Sequence, residues 1–201
     1  MNTKKNAVIA IFLTAILAFS PLAGFAQAAT SFSGEAVALK ANALGISLSA
    51  ADTGPLPSSG GNLNTSLASV NVAGIASADV LKSTTSGSGT SSQSQSSAAN
   101  VNLLNGLITA DVVKSNSSAS CSGSTASTSG SAQIVNLVAA GQSITVAPNL
   151  AASLPGGISL IVDEQTSSSG GNTGSMTVNA LHVTGPAIDI IVASAHSDIT
   201  C

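Results

Sequence analysis

The chain has 201 residues, of which 44% are hydrophobic and only 2% aromatic, with a formal net charge of −3. All five of its basic residues are lysines. Proteins that bind nucleic acids need cationic grooves and aromatic platforms, so this composition argues against that class. The acidic balance also argues against electrostatic docking on anionic lipid. The length fits one domain with a hydrophobic core.

The N-terminal segment has the three parts of a secretory signal peptide. Two lysines are followed by an apolar run over residues 7–19 and by small residues at 26–28. We expect cleavage after Ala28, which leaves residues 29–201 as a single exported domain without a membrane anchor. A retained anchor is the competing interpretation. It is disfavoured because the run is short and helix-breaking residues follow it.

Beyond the signal peptide, the chain divides into short β-branched segments separated by Gly, Ser, Asn and Pro, which predicts an all-β fold. Loops are predicted at 54–61, 148–157 and 167–174. Ser-rich excursions at about 84–97 and 116–130 are predicted as polar turn regions, either hairpin ends or mobile segments. The predicted strands cover 33–49, 69–83, 100–115, 131–146 (one strand or a pair), 158–163, 175–183 and 188–195.

Two phrases, at 75–83 and 108–115, indicate an internal repeat. Asp79 and Asp111 lie 32 residues apart, a spacing long enough for one supersecondary unit. The apolar face of each strand switches near Gly74 and Gly106, where a bulge would bend the strand. We therefore predict an antiparallel β-sandwich with long bent strands and internal repeats. A β-solenoid is the alternative, since a repeat of this length also suits stacked coils.

The two repeated phrases each place a lysine three residues after the aspartate, Lys82 and Lys114. On a strand these partners point to opposite faces. Each aspartate and lysine is therefore expected to pair across strands or to protect a sheet edge against aggregation.

Both cysteines of the chain, Cys121 and Cys201, lie in the exported part. An even number of cysteines in an oxidising compartment predicts a disulfide. Closing the loop of 80 residues between them (201 − 121) stabilises a fold by about 4 to 5 kcal/mol in the chain-entropy model. The alternative makes Cys121 a nucleophile or a metal ligand with His182 or His196. The Ser- and Gly-rich residues around Cys121 offer nothing that would lower the pKa of its thiol.

Four segments, at 74–83, 106–115, 176–183 and 189–198, resemble the choice-of-anchor P family of bacterial secreted proteins. The resemblance implies an exported bacterial surface domain. Its relatives carry cell-wall or membrane anchors, and the family name assigns no activity. The chain stops at Cys201 with no hydrophobic tail, so we expect a protein that is secreted or held loosely on the cell surface.

The sequence contains no G-x-S-x-G, H-E-x-x-H, P-loop or EF-hand motif, so it predicts no catalytic residue, cofactor or metal site. His196 and Asp198 are the residues that a hydrolase would use, together with one of many hydroxyls. His182 alternates with Leu181 and Val183, which indicates an outward polar position on a strand.

Three hypotheses about function follow. The first is a secreted, non-enzymatic structural or adhesive module of the bacterial cell surface or extracellular matrix. Its partner would be a cell-envelope or matrix polymer, or further copies of itself. The second is a secreted hydrolase using His196 and Asp198. The third is a module that binds a sugar or another small ligand, although few aromatic residues are available for sugar stacking.

Overall fold

The computed structural model describes residues 30–43 and 45–201. The predicted signal peptide, residues 1–28, lies outside the described residues. In the described part, no helix is long and apolar enough to cross a membrane. The strands are β1 (Ser31–Ala43), β2 (Ile46–Asp52), β3 (Gly61–Val72), β4 (Ala76–Ser88), β5 (Ser91–Leu103), β6 (Ile108–Ser122), β7 (Thr125–Val135), β8 (Val138–Ala139), β9 (Gln142–Ser143), β10 (Leu150–Leu154), β11 (Ile158–Gly170), β12 (Thr173–Gly185) and β13 (Ile188–Thr200).

The strands form two antiparallel sheets that pack face to face. The first sheet has the order β10-β11-β12-β13-β1-β2. The second has the order β3-β4-β5-β6-β8-β9, and β7 also pairs with β6. The long strand β6 pairs with both β8 and β7: β8 pairs with its first residues, and β7 pairs with its later ones. The predicted β-sandwich is confirmed, and the chain does not form the solenoid.

The prediction of a long bent strand at each of the two repeated phrases is wrong. Each is two strands of a hairpin, because β3 ends before Gly74 and β4 begins after it, while Gly106 separates β5 from β6 in the same way. The two glycines have φ of 77° and 84°, a left-handed conformation that suits a tight turn. The apolar alternation is reset there because the chain reverses direction. Bulges do occur, but elsewhere: the register of β4 and β5 shifts around Val80, whose φ is 50°.

The Ser-rich excursions are hairpin ends, one of the two predicted alternatives, and they continue the strands instead of forming long turns. Strands β4 and β5 continue through 84–97 with only residues 89 and 90 between them, and β6 and β7 continue through 116–130 around residues 123 and 124. Every second residue of β4 and β5 in this stretch is buried, and in β6 and β7 the buried ones are Ser117, Ala119 and Ala126. The predicted loop at 167–174 is likewise the end of the β11–β12 hairpin, and the one at 148–157 contains β10.

The interior of the sandwich is divided into an apolar part and a hydroxyl part. Buried Leu, Ile, Val and Ala fill the larger apolar part, including Leu39, Leu81, Leu103, Ile108, Leu160, Leu181 and Ile190. In the hydroxyl part, buried side chains bond in pairs: Ser83 with Ser96 at 3.0 Å, Thr85 with Ser94 at 2.6 Å and Ser117 with Ser197 at 2.8 Å. A small apolar cluster around Phe32 lies at the end of the sandwich. Pairing satisfies hydroxyls that would otherwise be costly to bury.

The predicted disulfide between Cys121 and Cys201 is confirmed. Cys121 lies near the end of β6 in the second sheet, and Cys201 directly follows β13 in the first. Their Cα atoms are 5.6 Å apart, and the bond joins residues separated by 80 positions. The disulfide therefore connects the two sheets. Because both sulfurs are in the bond, neither cysteine is a free nucleophile or thiolate ligand.

Candidate functional site

The outer face of the first sheet, here called the acidic face, carries both histidines of the chain, His182 and His196. Adjacent residues of antiparallel strands place their side chains side by side, and residues two apart on one strand share a face. Cross-strand register therefore brings together residues far apart in sequence. The acidic face consists of Glu35, Lys40, Asp52, Glu164, Thr177, Asn179, His182, Asp189, Ser194, His196 and Asp198.

The structure places the two predicted hydrolase residues in contact and adds a third. His196 Nε2 lies 3.0 Å from Asp198 Oδ2, and His196 Nδ1 lies 2.8 Å from the hydroxyl of Thr177 on the neighbouring strand. The other oxygen of Asp198, Oδ1, is buried and has no hydrogen-bond partner in the described chain. The sequence alone did not indicate Thr177, because only the pairing of β12 with β13 places it opposite His196.

Hydroxyl, imidazole and carboxylate follow one another here in the order of a nucleophilic triad. Such a triad also needs N–H donors that stabilise an oxyanion. Thr177 lies in the middle of β12, which is paired on one side with β11 and on the other with β13. The N–H groups of β12 therefore bond within the sheet. The arrangement orients His196 on a flat face and supplies no oxyanion hole from the strand that carries Thr177.

His182, on the same face, is held between two carboxylates. Its Nδ1 lies 2.9 Å from Glu164 and its Nε2 lies 3.1 Å from Asp189. Asn179 donates to Glu164 at 2.7 Å and accepts from Ser194 at 2.8 Å, so the contacts continue across β11, β12 and β13. Because both ring nitrogens are used, His182 offers no nitrogen to a metal. In residues 30–43 and 45–201, no three His, Cys, Asp or Glu side chains are grouped to hold a metal ion.

Glu35 is the acidic-face residue with a perturbed pKa. Partial burial raises the pKa of its carboxyl above the ordinary 4.5, and the adjacent Asp52 carboxyl raises it further. Lys40 and His196 act in the opposite direction, but do not cancel the rise. The acidic face therefore disfavours a negative charge on Glu35.

The outer face of the second sheet has a different chemistry, with rows of hydroxyl and carboxamide side chains across β4, β5, β6 and β7. We call it the hydroxyl–carboxamide face. Its two main rows are Thr84–Gln95–Asn116–Ser131 and Ser86–Gln93–Ser118–Ser129. Shallow depressions of about 270 and 410 Å³ lie on it, and Gln95 and Asn116 line both. Abundant hydroxyls are evident here from the sequence, but only the pairing of β4, β5, β6 and β7 places their side chains on one face.

The aspartates of the two repeated phrases contact asparagines. Asn100 Nδ2 donates to Asp79 at 3.2 Å, and Asn136 Nδ2 donates to Asp111 at 2.6 Å. Both asparagines have positive φ, 49° and 54°, which asparagine tolerates better than most residues. The aspartates thus find partners outside their own strands, as expected, but those partners are asparagines and not the lysines. Lys82 and Lys114 instead lie in one row of the hydroxyl–carboxamide face with Ser97 between them.

Comparison of the chain with protein-family models, with curated proteins and with solved structures found no match.

Proposed function

We propose that the protein is a secreted, non-enzymatic structural or adhesive module of a bacterial cell surface or extracellular matrix. The observation that supports this most directly is the hydroxyl–carboxamide face. Four neighbouring strands present aligned rows of side chains that can both donate and accept hydrogen bonds. An array of this kind suits the hydroxyl and amide groups of an extended envelope or matrix polysaccharide.

Export belongs to the same proposal. It rests on the signal-peptide pattern of residues 1–28 and on the resemblance to choice-of-anchor P proteins. The disulfide between Cys121 and Cys201 is compatible with an oxidising compartment. We also propose that the two repeated phrases are copies of one module. The aspartate–asparagine contact that recurs at both phrases supports this.

Co-sedimentation with insoluble polymers tests polymer binding. The protein, purified from cells expressing the full sequence, is incubated with peptidoglycan, chitin and cellulose, and the bound fraction is measured. Gln95→Ala combined with Asn116→Ala removes the two side chains that line both depressions. If each contributes about 1 kcal/mol of hydrogen bonding, the pair of changes weakens binding about 30-fold.

The matched control is Thr184→Ala, which removes a partly exposed hydroxyl from the outer face of the other sheet. It should bind like the wild type. Equal loss in this control, or no binding of the wild type to any polymer, contradicts adhesion through the hydroxyl–carboxamide face.

A secreted hydrolase is the second candidate, and one observation favours it: the contact of His196 with both Thr177 and Asp198. The test is hydrolysis of ester and glycoside substrates by the wild type and by two variants, His196→Ala and Thr177→Val. A hydrolase of this kind would lose activity in both, since each variant removes one member of the relay. Activity retained in His196→Ala eliminates this candidate.

Binding of a sugar or other small ligand remains the third hypothesis. The hydroxyl–carboxamide face again offers its hydrogen-bonding groups, and soluble oligosaccharides of the same polymers would compete with the insoluble form. Failure of competition would favour an extended polymer, since only the polymer spans several strands at once.

A further inference from the structure

The two sheets differ in how their edge strands are protected. Edge strands expose unpaired N–H and C=O groups, and proteins commonly protect them by short length, charge or proline. In the first sheet, the edge strand β10 has five residues and lies between Pro148 and Pro155. The opposite edge, β2, has seven residues and ends at Asp52. Both edges of the first sheet therefore carry protection.

Strand β3, at the edge of the second sheet, carries none of these devices. It has 12 residues with no charged residue and no proline. In the described part of the chain its strand partner is β4 alone. Positive φ occurs in it only at its first residue, Gly61, and the bulge beside it belongs to β4 at Val80. A regular row of backbone donors and acceptors is thus open along the free side of β3.

Exposed apolar side chains accompany this open edge. Leu67 is 42% exposed at the middle of β3, and Val80, at the bulge opposite Ala68, is 53% exposed. Leu67 pairs with the fully buried Leu81 but is itself exposed, and in residues 30–43 and 45–201 no strand pairs with the other side of β3. A strand added next to β3 would cover Leu67 and would also bond to the open backbone groups.

We propose that β3 pairs antiparallel with β3 of a second copy of this chain, about a twofold axis near Leu67. The second sheet would then run continuously through a dimer. A second copy is the favoured occupant because β3 carries no charge, so two copies of it meet without the like-charge repulsion that opposes self-pairing. The twofold axis also sets the two exposed leucines beside each other, where apolar cross-strand pairs are stabilising. The proposal is independent of what the hydroxyl–carboxamide face binds.

Sedimentation velocity over a series of concentrations tests the dimer, using protein purified from cells expressing the full sequence. The wild type is expected to dimerise. Leu67→Lys places a charge on the edge, a device that natural edge strands use against pairing, and should weaken dimerisation about tenfold or more. Circular dichroism and thermal unfolding establish that the variant is folded. A wild type that is monomeric at all concentrations overturns the proposal.

The matched control is Val135→Lys on β7, the other long edge of the second sheet. β7 also lacks charge and proline, and Val135 is 38% exposed. This variant should dimerise like the wild type. Equal weakening by Val135→Lys would indicate pairing of β3 with β7 and would overturn the twofold arrangement.

Amide hydrogen exchange of the wild type gives a second test that needs no variant. Residues of β3 should exchange more slowly as the concentration rises, because dimerisation protects the outward N–H groups. Protection at every concentration in protein that sediments as a monomer would mean that another segment of the same chain covers β3. Either that result or equally fast exchange at every concentration overturns the proposal.

Discussion

The hydroxyl of Ser94 donates a hydrogen bond to the backbone carbonyl oxygen of His196 at 2.6 Å, linking the two sheets through the interior of the sandwich. Ser94 itself is fully buried and also bonds with Thr85 at 2.6 Å. Because the Ser94 proton goes to the carbonyl, the Thr85 hydroxyl is the donor of that second bond. A serine that composition alone assigns to the surface thus connects the interior to the strand that carries the acidic face.

Ser94→Ala should destabilise the protein by about 1 to 3 kcal/mol, because it removes the buried bond to the His196 carbonyl and leaves the Thr85 hydroxyl without its acceptor. Urea unfolding measures the difference. The control is Ser88→Ala, at an exposed position near the end of the same hairpin, where a change within about 0.5 kcal/mol is expected. Equal effects of the two variants would mean that the buried hydroxyls add nothing to the link between the sheets.

The disulfide variant, Cys121→Ser combined with Cys201→Ser, should lower the free energy of unfolding by about 4 to 5 kcal/mol. The bond closes a loop between residues 80 positions apart, and its loss gives the unfolded chain more conformational entropy. Urea unfolding of the variant is compared with that of the wild type, with and without reductant. Reductant should affect only the wild type, and unchanged stability in the variant would contradict this role.

Gly130→Ala tests how closely the sheets pack. A methyl group at residue 130 would overlap the side chains of Met176 and Val178 on the facing strand β12. Overpacking of this kind costs about 1 to 3 kcal/mol. Gly170→Ala is the control, since nothing lies near that position and its φ is not positive. Thermal unfolding should show a lower Tm for Gly130→Ala only, and equal Tm values would contradict the close approach of β7 and β12.

Glu35→Gln should make stability less dependent on pH. Because burial and then Asp52 raise the pKa of Glu35 above 4.5 in the folded protein, the folded state binds this proton more tightly than the unfolded state does. The resulting contribution to stability is present below the unfolded-state pKa and is lost as pH rises through the folded-state pKa. The variant should therefore have a higher Tm than the wild type near pH 7 and little difference at about pH 4.

Glu35→Gln in an Asp52→Asn background separates burial from the Asp52 charge as causes of the raised pKa of Glu35. With the neighbouring charge removed, the gain in Tm from Glu35→Gln should shrink, although the part due to burial stays. Thermal unfolding at both pH values measures all four proteins of this cycle. A Glu35→Gln variant that is less stable than the wild type near neutral pH would contradict the raised pKa.

Sequence alone determined the fold class and the disulfide, because both depend on local or countable features. Short β-branched segments between turn formers specify strands, and two cysteines leave one possible intramolecular pair. The candidate pair His196 and Asp198 was also accessible, since residues two apart on a strand share a face. These inferences need no knowledge of which strands are neighbours.

Only the tertiary structure decided the rest. A glycine such as Gly74 can bend a strand or reverse it, and which occurs depends on whether β3 and β4 pair along their full length. Burial of Ser94 depends on its partners across both sheets, because a lone hydroxyl would remain in solvent. Strand order places Thr177 next to His196 and leaves β3 at the edge of its sheet. Strand order is set by the combined burial of the two inner faces, which no single segment encodes.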